Sequence, residues 1–135
     1  MFPGRSMRQL LVGTDLVDIA RLRAALEAHA PRLGARIFTE REWAYCQSRS
    51  DPHASLAARF AAKEALRKIF GQWGYEDVVW RETEVVTAPG GAPSIRLHGT
   101  ALHRARGYRF AVSLSHTDTL AQAVCVVYAD SNHDE

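Results

Sequence analysis

The chain has 135 residues, of which 47% are hydrophobic and 24% are charged, the proportions of an ordinary globular domain. That length suits one domain over residues 1–135 with a sizeable core. A net charge of +2 is too small to indicate a nucleic-acid-binding protein. No apolar run approaches the length of a membrane span or a signal peptide, so we expect a cytoplasmic protein without membrane contacts.

The charges are unevenly distributed along the chain. Residues 1–75 contain 12 Lys/Arg and 7 Asp/Glu, whereas residues 76–135 contain 5 and 8. The basic first half favours an acidic partner or a phosphorylated ligand. Cys46 and Cys125 have no paired spacing, so we expect both to be reduced packing residues.

The chain is predicted to begin with a strand and a helix. An extension over residues 1–8 leads into a short strand over 8–14, which ends just before Asp15. Asp18 is a suitable N-cap for a helix that runs from Ile19 to about His29. The proline at position 31 then ends this helix.

Two further helices follow. Thr39, with Glu42 three residues later, fits a capping box and predicts a short helix through Cys46. The longest helix is predicted to start at Asp51-Pro52, a cap followed by proline at the first helical position, and to stop at Gly71. A buried stripe is expected from its large apolar residues, which are Leu56, Phe60, Ile69 and Phe70.

The middle of the long helix carries a dense set of charges among alanines. Phe60, Glu64 and Lys68 lie four residues apart on successive turns, and Arg59 and Lys63 form a parallel row. The alanines around Lys63 allow another element or a ligand to approach closely. Glu64 and Lys68 taken alone also fit an ordinary i,i+4 ion pair on a solvated face.

The second half changes to a strand-like pattern after a glycine-bearing loop over 71–77. Two strands are predicted around the Pro-Gly-Gly turn at 89–93, and two more follow a short helix. These elements span 80–87, 94–97, 101–106 (the helix), 109–114 and 120–128, before a frayed tail over 129–135. The prediction is an α+β fold, a single compact domain with a mainly antiparallel sheet packed on a long helix.

Two carboxylates stand out as candidates for chemistry. Asp15 and Glu64 are oxygen ligands of the kind that bind Mg²⁺ together with substrate phosphates and water. Nearby cations suit donation to phosphate oxygens, and these are Arg59, Lys63 and Lys68. The chain contains no P-loop, dinucleotide-binding motif or nucleophile elbow. A lone histidine after a strand, His116, indicates little by itself.

Three segments together closely resemble the holo-[acyl-carrier-protein] synthases, the short single-domain branch of the 4′-phosphopantetheinyl transferases. They are GTDLVDIAR at 13–21, RFAAKEA at 59–65 and VSLSH at 112–116. The resemblance extends from about Leu11 to Tyr128. Each motif is weak by itself, but the ordered set is highly specific.

The resemblance implies a reaction and a set of site residues. The family transfers phosphopantetheine from coenzyme A to a serine of apo acyl carrier protein and releases adenosine 3′,5′-bisphosphate. Asp15 and Glu64 match its Mg²⁺ ligands, and Lys68 matches a lysine that contacts the phosphates. Residues that match positions near coenzyme A are Arg59, Lys63 and His116. The base that deprotonates the serine is either Glu64 or a metal-bound water.

The resemblance also implies partners. Arg21 matches an arginine that meets the acidic recognition helix of the carrier protein, and the family commonly forms homotrimers with sites between subunits. Ala20 departs from the acidic residue that many relatives have there, and the loop at 71–75 is unusual. A non-catalytic coenzyme A- or nucleotide-binding module is the alternative, but it would not need Asp15, Glu64 and Lys68 together.

Overall fold

The computed structural model describes residues 10–130, so the predicted extension at 1–8 and the last five residues lie outside the described part. Its α-helices and β-strands, in chain order, are β1 Leu10–Asp18, α1 Ile19–Ala28, α2 Arg32–Ile37, α3 Glu40–Gln47, α4 Pro52–Gln72, β2 Thr83–Thr87, β3 Pro93–Leu97, α5 Gly99–Arg104, β4 Tyr108–His116 and β5 Leu120–Ala129. A 3₁₀ turn over Trp80–Glu82 precedes β2.

The strands form two antiparallel sheets against the long helix. The larger sheet has the order β1-β5-β4, and β2 and β3 form a separate hairpin. Helix α4 packs on the inner face of the larger sheet and also touches β2. The predicted α+β class, with an antiparallel sheet on a long helix, is therefore confirmed. No helix within residues 10–130 is long and apolar enough to span a membrane.

Small residues let β1 lie directly on α4. The alanines at 61, 62 and 65 are completely buried in α4. A Cβ atom added at Gly13 would collide with the carbonyl oxygen of Ala65 and lie 3.1 Å from Cγ1 of Ile69. Glycine at position 13 is thus what allows the residues after it in β1 to reach the surface of α4.

The predicted helix caps are present. The Asp18 carboxylate accepts a hydrogen bond from the Arg21 backbone N–H at 3.0 Å. Thr39 and Glu42 form the reciprocal capping box at the start of α3. Cys46 and Cys125 are free and buried, as expected, and burial raises the pKa of their thiols to about 11 and about 12, respectively.

Two predicted boundaries near the site are wrong. Strand β1 does not end before Asp15, because it pairs with β5 from Leu10 to Asp18. Helix α4 does not stop at Gly71, since that glycine is tolerated in the exposed last turn and the helix continues to Gln72. The chain turns instead at Gly74, whose φ of 94° favours glycine.

Other elements also differ from the predictions. Residues 80–82 form the 3₁₀ turn and not the start of a strand, and α5 begins at Gly99 and ends at Arg104. Helix α2 was not predicted. Phe60 is half-buried, unlike the rest of its stripe. Ala129, placed in the frayed tail, pairs with Tyr108 at the end of β5.

Candidate functional site

The contact between β1 and α4 brings two predicted site residues together. The Lys68 ammonium donates to the Asp15 carboxylate at 3.1 Å and to the Thr14 carbonyl at 2.8 Å. The Lys68 side chain is 56% exposed and that of Asp15 is 19% exposed. This ion pair therefore stands at the surface, where a ligand can replace either partner.

Glu64 lies one helical turn before Lys68 on α4. Its Oε2 accepts a hydrogen bond from the Trp80 indole N–H at 2.7 Å. The guanidinium Nε of Arg67 lies 3.8 Å from the same oxygen. Within residues 10–130, Oε1 of Glu64 has no such partner, so the carboxylate is held on one side and open on the other.

Glu64 and Lys68 face a cleft of about 250 Å³. The loop after α4 forms its opposite wall through Tyr75, Glu76 and Val78. Arg104 of α5 fastens this loop, since its guanidinium stacks over the Tyr75 ring at 4.2 Å and bonds to the Asp77 carboxylate at 2.6 Å. The hydrogen bond from Arg104 lowers the pKa of Asp77 below its usual range.

Lys63 points away from this cleft and into the interior. Its ammonium donates to the Glu42 carboxylate at 2.9 Å and to the carbonyls of Trp80 at 2.9 Å and Thr83 at 2.8 Å. All three of its protons are thus used, and the side chain is fully buried. Burial lowers the pKa of Lys63, which the neighbouring Glu42 carboxylate partly offsets. The geometry indicates a structural role for Lys63, and its expected contact with coenzyme A stays a prediction.

Arg59 and His116 lie apart from the Asp15–Lys68 pair. The Arg59 guanidinium bonds to the Thr87 hydroxyl at 2.8 Å and stacks over the Tyr45 ring at 4.7 Å, on the side of the β2–β3 hairpin. Its Nε is buried and has no hydrogen-bond partner in the described part of the chain. His116 stands exposed at the end of β4, with Nδ1 3.1 Å from the Thr117 carbonyl.

The donor set is suited to Mg²⁺. Residues 10–130 contain no cluster of three or more His, Cys, Asp or Glu side chains arranged for a metal. Mg²⁺ does not need such a cluster, because it commonly binds one or two carboxylates and completes its shell with phosphate oxygens and water. Asp15 and Glu64 are both partly exposed carboxylates on adjoining elements, so the residues present fit that ion.

Sequence reasoning missed two residues that shape the site. Trp80 was placed in a strand, and its indole contact with Glu64 depends on the 3₁₀ turn that precedes β2. Glu42 was recognised only as part of a capping box, yet it is also the partner of Lys63. In the sequence, the capping box was the one indication that the Glu42 side chain is held in a fixed position.

Comparisons with known proteins show the family to which the chain is related. Residues 11–125 match the model of the 4′-phosphopantetheinyl transferase superfamily. A holo-[acyl-carrier-protein] synthase of Moorella thermoacetica is 45% identical over 121 residues, which cover 87% of this chain and 93% of the relative. One from Mesorhizobium japonicum is 42% identical over 125 residues, 87% of this chain and 91% of the relative.

A solved structure shows the same fold with a ligand bound. The ACPS–CoA complex of Chronobacterium ammoniagenes superposes with a TM-score of 0.78 at 28% identity, covering 90% of this chain and 98% of that one. The match includes nearly the whole of each protein. The chain therefore belongs to the 4′-phosphopantetheinyl transferase superfamily.

Proposed function

We propose that this chain is a holo-[acyl-carrier-protein] synthase, which transfers 4′-phosphopantetheine from coenzyme A to a serine of apo acyl carrier protein. The observation that carries the proposal is that Lys68, which lines a cleft together with Glu64, also contacts the Asp15 carboxylate of β1. The names of the full-length relatives support the same reaction.

Asp15, which Lys68 contacts, and Glu64, which lines the cleft, would hold Mg²⁺. The ion, when bound, supplies positive charge that neutralises the pyrophosphate of coenzyme A during transfer. Glu64 lines the cleft and its side chain is 29% exposed, so a ligand can reach its carboxylate. Lys68 is the exposed ammonium nearest to Asp15, so it is suited to donate to a phosphate oxygen once the ligand is present.

The chemical step requires one proton to move. The serine oxygen attacks the phosphorus that bears pantetheine, and the bond from that phosphorus to the bridging oxygen of the pyrophosphate breaks. Adenosine 3′,5′-bisphosphate leaves with the electron pair of the broken bond. Glu64 is the carboxylate positioned to accept the serine proton, and Lys68 is the cation positioned to stabilise the leaving phosphate.

A homotrimer with sites between subunits would account for the positions of Arg59 and His116. Arg59 and His116 lie apart from Asp15, Glu64 and Lys68 in one chain, so a neighbouring copy would complete the phosphate-binding set. Arg59 has an unused buried donor, which is consistent with a further acceptor in the complete site.

The outer face of the larger sheet is the surface suited to pack against those copies. Leu10, Val12 and Leu16 of β1 are 69%, 53% and 61% exposed there. The strand register places Val126 and Ala111 in the same row as Val12. The occupant we propose is the same face of other copies, because exposed apolar rows of this kind pack well on one another. Light scattering of the purified chain would show a trimer, and Val12→Glu would give a smaller species.

The carrier protein would dock on α1. Arg21 is exposed on this helix and matches the family residue that meets the acidic recognition helix. The basic first half of the chain would steer such a partner electrostatically. We also propose a cytoplasmic location, in keeping with two free buried thiols, which persist in reducing compartments.

The reaction is tested by intact-mass measurement of apo acyl carrier protein after incubation with this chain and coenzyme A. The sample is run with Mg²⁺ and with excess chelator. The proposal predicts a gain of one phosphopantetheine group that disappears with chelator. Coenzyme A binding without any gain, on several carrier proteins, would instead support a non-catalytic binding module.

A further inference from the structure

We propose that Trp80 is a positioning residue that holds Glu64 in one orientation toward the cleft. This inference rests on the proposed function, because it concerns how Glu64 is presented to its ligand. The indole N–H donates to Oε2 of Glu64 at 2.7 Å, a short bond to a charged acceptor. Oε1 is thereby left to face the metal or the attacking hydroxyl.

The backbone of Trp80 is firmly anchored. Its carbonyl oxygen accepts from the Lys63 ammonium and from the Thr83 hydroxyl, each at 2.9 Å. Lys63 is itself fully buried and paired with Glu42 at 2.9 Å. The interior ion pair thus fixes the residue whose side chain touches Glu64, and this links the fold to the cleft.

The indole ring is also packed from several sides. The Phe60 ring lies 5.9 Å away between centroids and is tilted by 56°. The guanidinium of Arg67 lies over the indole at 4.9 Å and that of Arg36 at 5.8 Å. Rotation of the indole away from Glu64 would disrupt these contacts, so the N–H is preorganised in its direction.

A neutral donor is well suited to this task. A glutamate on a helix can pair with cations three or four residues away, and α4 places Arg67 and Lys68 at those spacings from Glu64. Arg67 makes only a long contact of this kind, 3.8 Å from Oε2, and Lys68 pairs instead with Asp15 at 3.1 Å. The indole is a donor without charge, so it orients Glu64 and leaves the negative charge available.

The first test compares Trp80→Phe with the matched control Trp43→Phe. The first change keeps a ring against Phe60 and removes the N–H. The second removes an indole of α3 that packs on Phe38 with a centroid distance of 6.1 Å. With saturating Mg²⁺, Trp80→Phe should lower kcat about tenfold, the size of one hydrogen bond to a charged group, with the KM for coenzyme A little changed. Trp43→Phe should leave kcat unchanged.

A purely structural role would give a different result. In that case Trp80→Phe would lower the urea midpoint of unfolding, but kcat per folded molecule would stay within a factor of about two of the unaltered chain. That outcome would overturn the inference. Failure of the unaltered chain to transfer phosphopantetheine would instead contradict the proposed function, and the contact would then be judged by the second test alone.

The second test is independent of turnover. The chain has 3 tryptophans, so a ¹H–¹⁵N spectrum should contain three indole signals. The signal that is absent from Trp80→Phe belongs to Trp80. It should move in Glu64→Gln and when Mg²⁺ is added, whereas the Trp43 signal should remain in place. A Trp80 signal that ignores both changes would refute the inference.

Discussion

Helix α4 takes part in two lysine–carboxylate pairs that differ mainly in their access to water. Lys63 and Glu42 are 2.9 Å apart and both side chains are 0% exposed. Lys68 and Asp15 are 3.1 Å apart, and their side chains remain partly exposed. The two pairs have similar N–O distances, and their lysines are five residues apart on α4. Their different exposure to water gives the two pairs different roles.

Burial decides which pair holds the fold and which can act on a ligand. The interior pair joins α3 and α4. Glu42 also contacts β2, because its carboxylate accepts a hydrogen bond from the Val85 N–H at 2.7 Å. Removing charges from water is costly, so every proton of Lys63 has a fixed acceptor. The exposed pair gains little from its own attraction, and a ligand phosphate or metal ion can therefore compete with it.

The largest effect on stability is expected when the interior pair is broken. Lys63→Met leaves the Glu42 carboxylate buried without its cation, which should lower the free energy of unfolding by about 3–5 kcal/mol. Urea unfolding followed by circular dichroism measures the change. Lys68→Met, the matched control, should cost less than about 1 kcal/mol because that pair is exposed. Equal losses in the two variants would refute the distinction.

Asp15→Asn should have the largest effect on transfer with little effect on stability. The substitution preserves the shape of the side chain but removes the charge that we propose holds Mg²⁺, so the transfer rate should fall on the order of 100-fold. Raising the Mg²⁺ concentration should restore part of the rate. A variant that transfers at the original rate, with the original Mg²⁺ dependence, would contradict the metal assignment.

Much of the architecture could be predicted from local sequence. The caps at Asp18, Thr39 and Asp51 use contacts within four residues, and all three were found where expected. The long helix was also predicted, with an end only one residue short. The position of Asp15 within β1 could not be predicted, because it depends on pairing with Ala123 of β5, far along the chain.

The different roles of Lys63 and Glu64 also could not be predicted from the neighbouring sequence. Adjacent residues on a helix differ in direction by about 100°, and the sequence does not say which direction meets the core. The hairpin side of the fold supplies the acceptors that draw Lys63 inward. The motif at 59–65 contains both residues and indicated a site. It could not show that Lys63 is the buried, structural charge and Glu64 the partly exposed one.

Arg21→Glu extends the comparison to an exposed charge outside the cleft. Docking on an acidic helix should weaken, so the KM for the carrier protein should rise about tenfold and the KM for coenzyme A should change little. Arg106→Glu, the same reversal on an exposed arginine after α5, serves as the control. A parallel rise of both KM values in Arg21→Glu would argue against a docking role.

The smallest expected effect is an acid sensitivity at Glu84. Although burial alone would raise the pKa of this carboxyl, hydrogen bonds from His98 and Thr39 hold it below its ordinary value of 4.5. The ionised form is therefore favoured in the folded chain. Its contribution to stability is present above that value and is lost as the pH falls through the lower, folded-state pKa.

Glu84→Gln should remove this contribution, so the urea midpoint of the variant should change less with acidification than that of the unaltered chain. Urea unfolding at several pH values on both sides of 4.5 provides the measurement. Identical pH dependence in the two proteins would show that Glu84 is not the group responsible.

The most direct test of the division between the two pairs is the single-turnover transfer rate of Lys68→Met beside that of Lys63→Met. Both are measured with saturating coenzyme A, Mg²⁺ and apo acyl carrier protein, under conditions in which unfolding curves show both variants to be folded. We expect Lys68→Met to transfer on the order of 10- to 100-fold more slowly than the unaltered chain, since it lacks the exposed cation that we propose stabilises the leaving phosphate. Lys63→Met, although less stable, should keep most of its rate per folded molecule, because the Thr83 hydroxyl and the packing on Phe60 still hold Trp80 beside Glu64. The reverse result, a normal rate in Lys68→Met and a lost rate in folded Lys63→Met, would contradict the account.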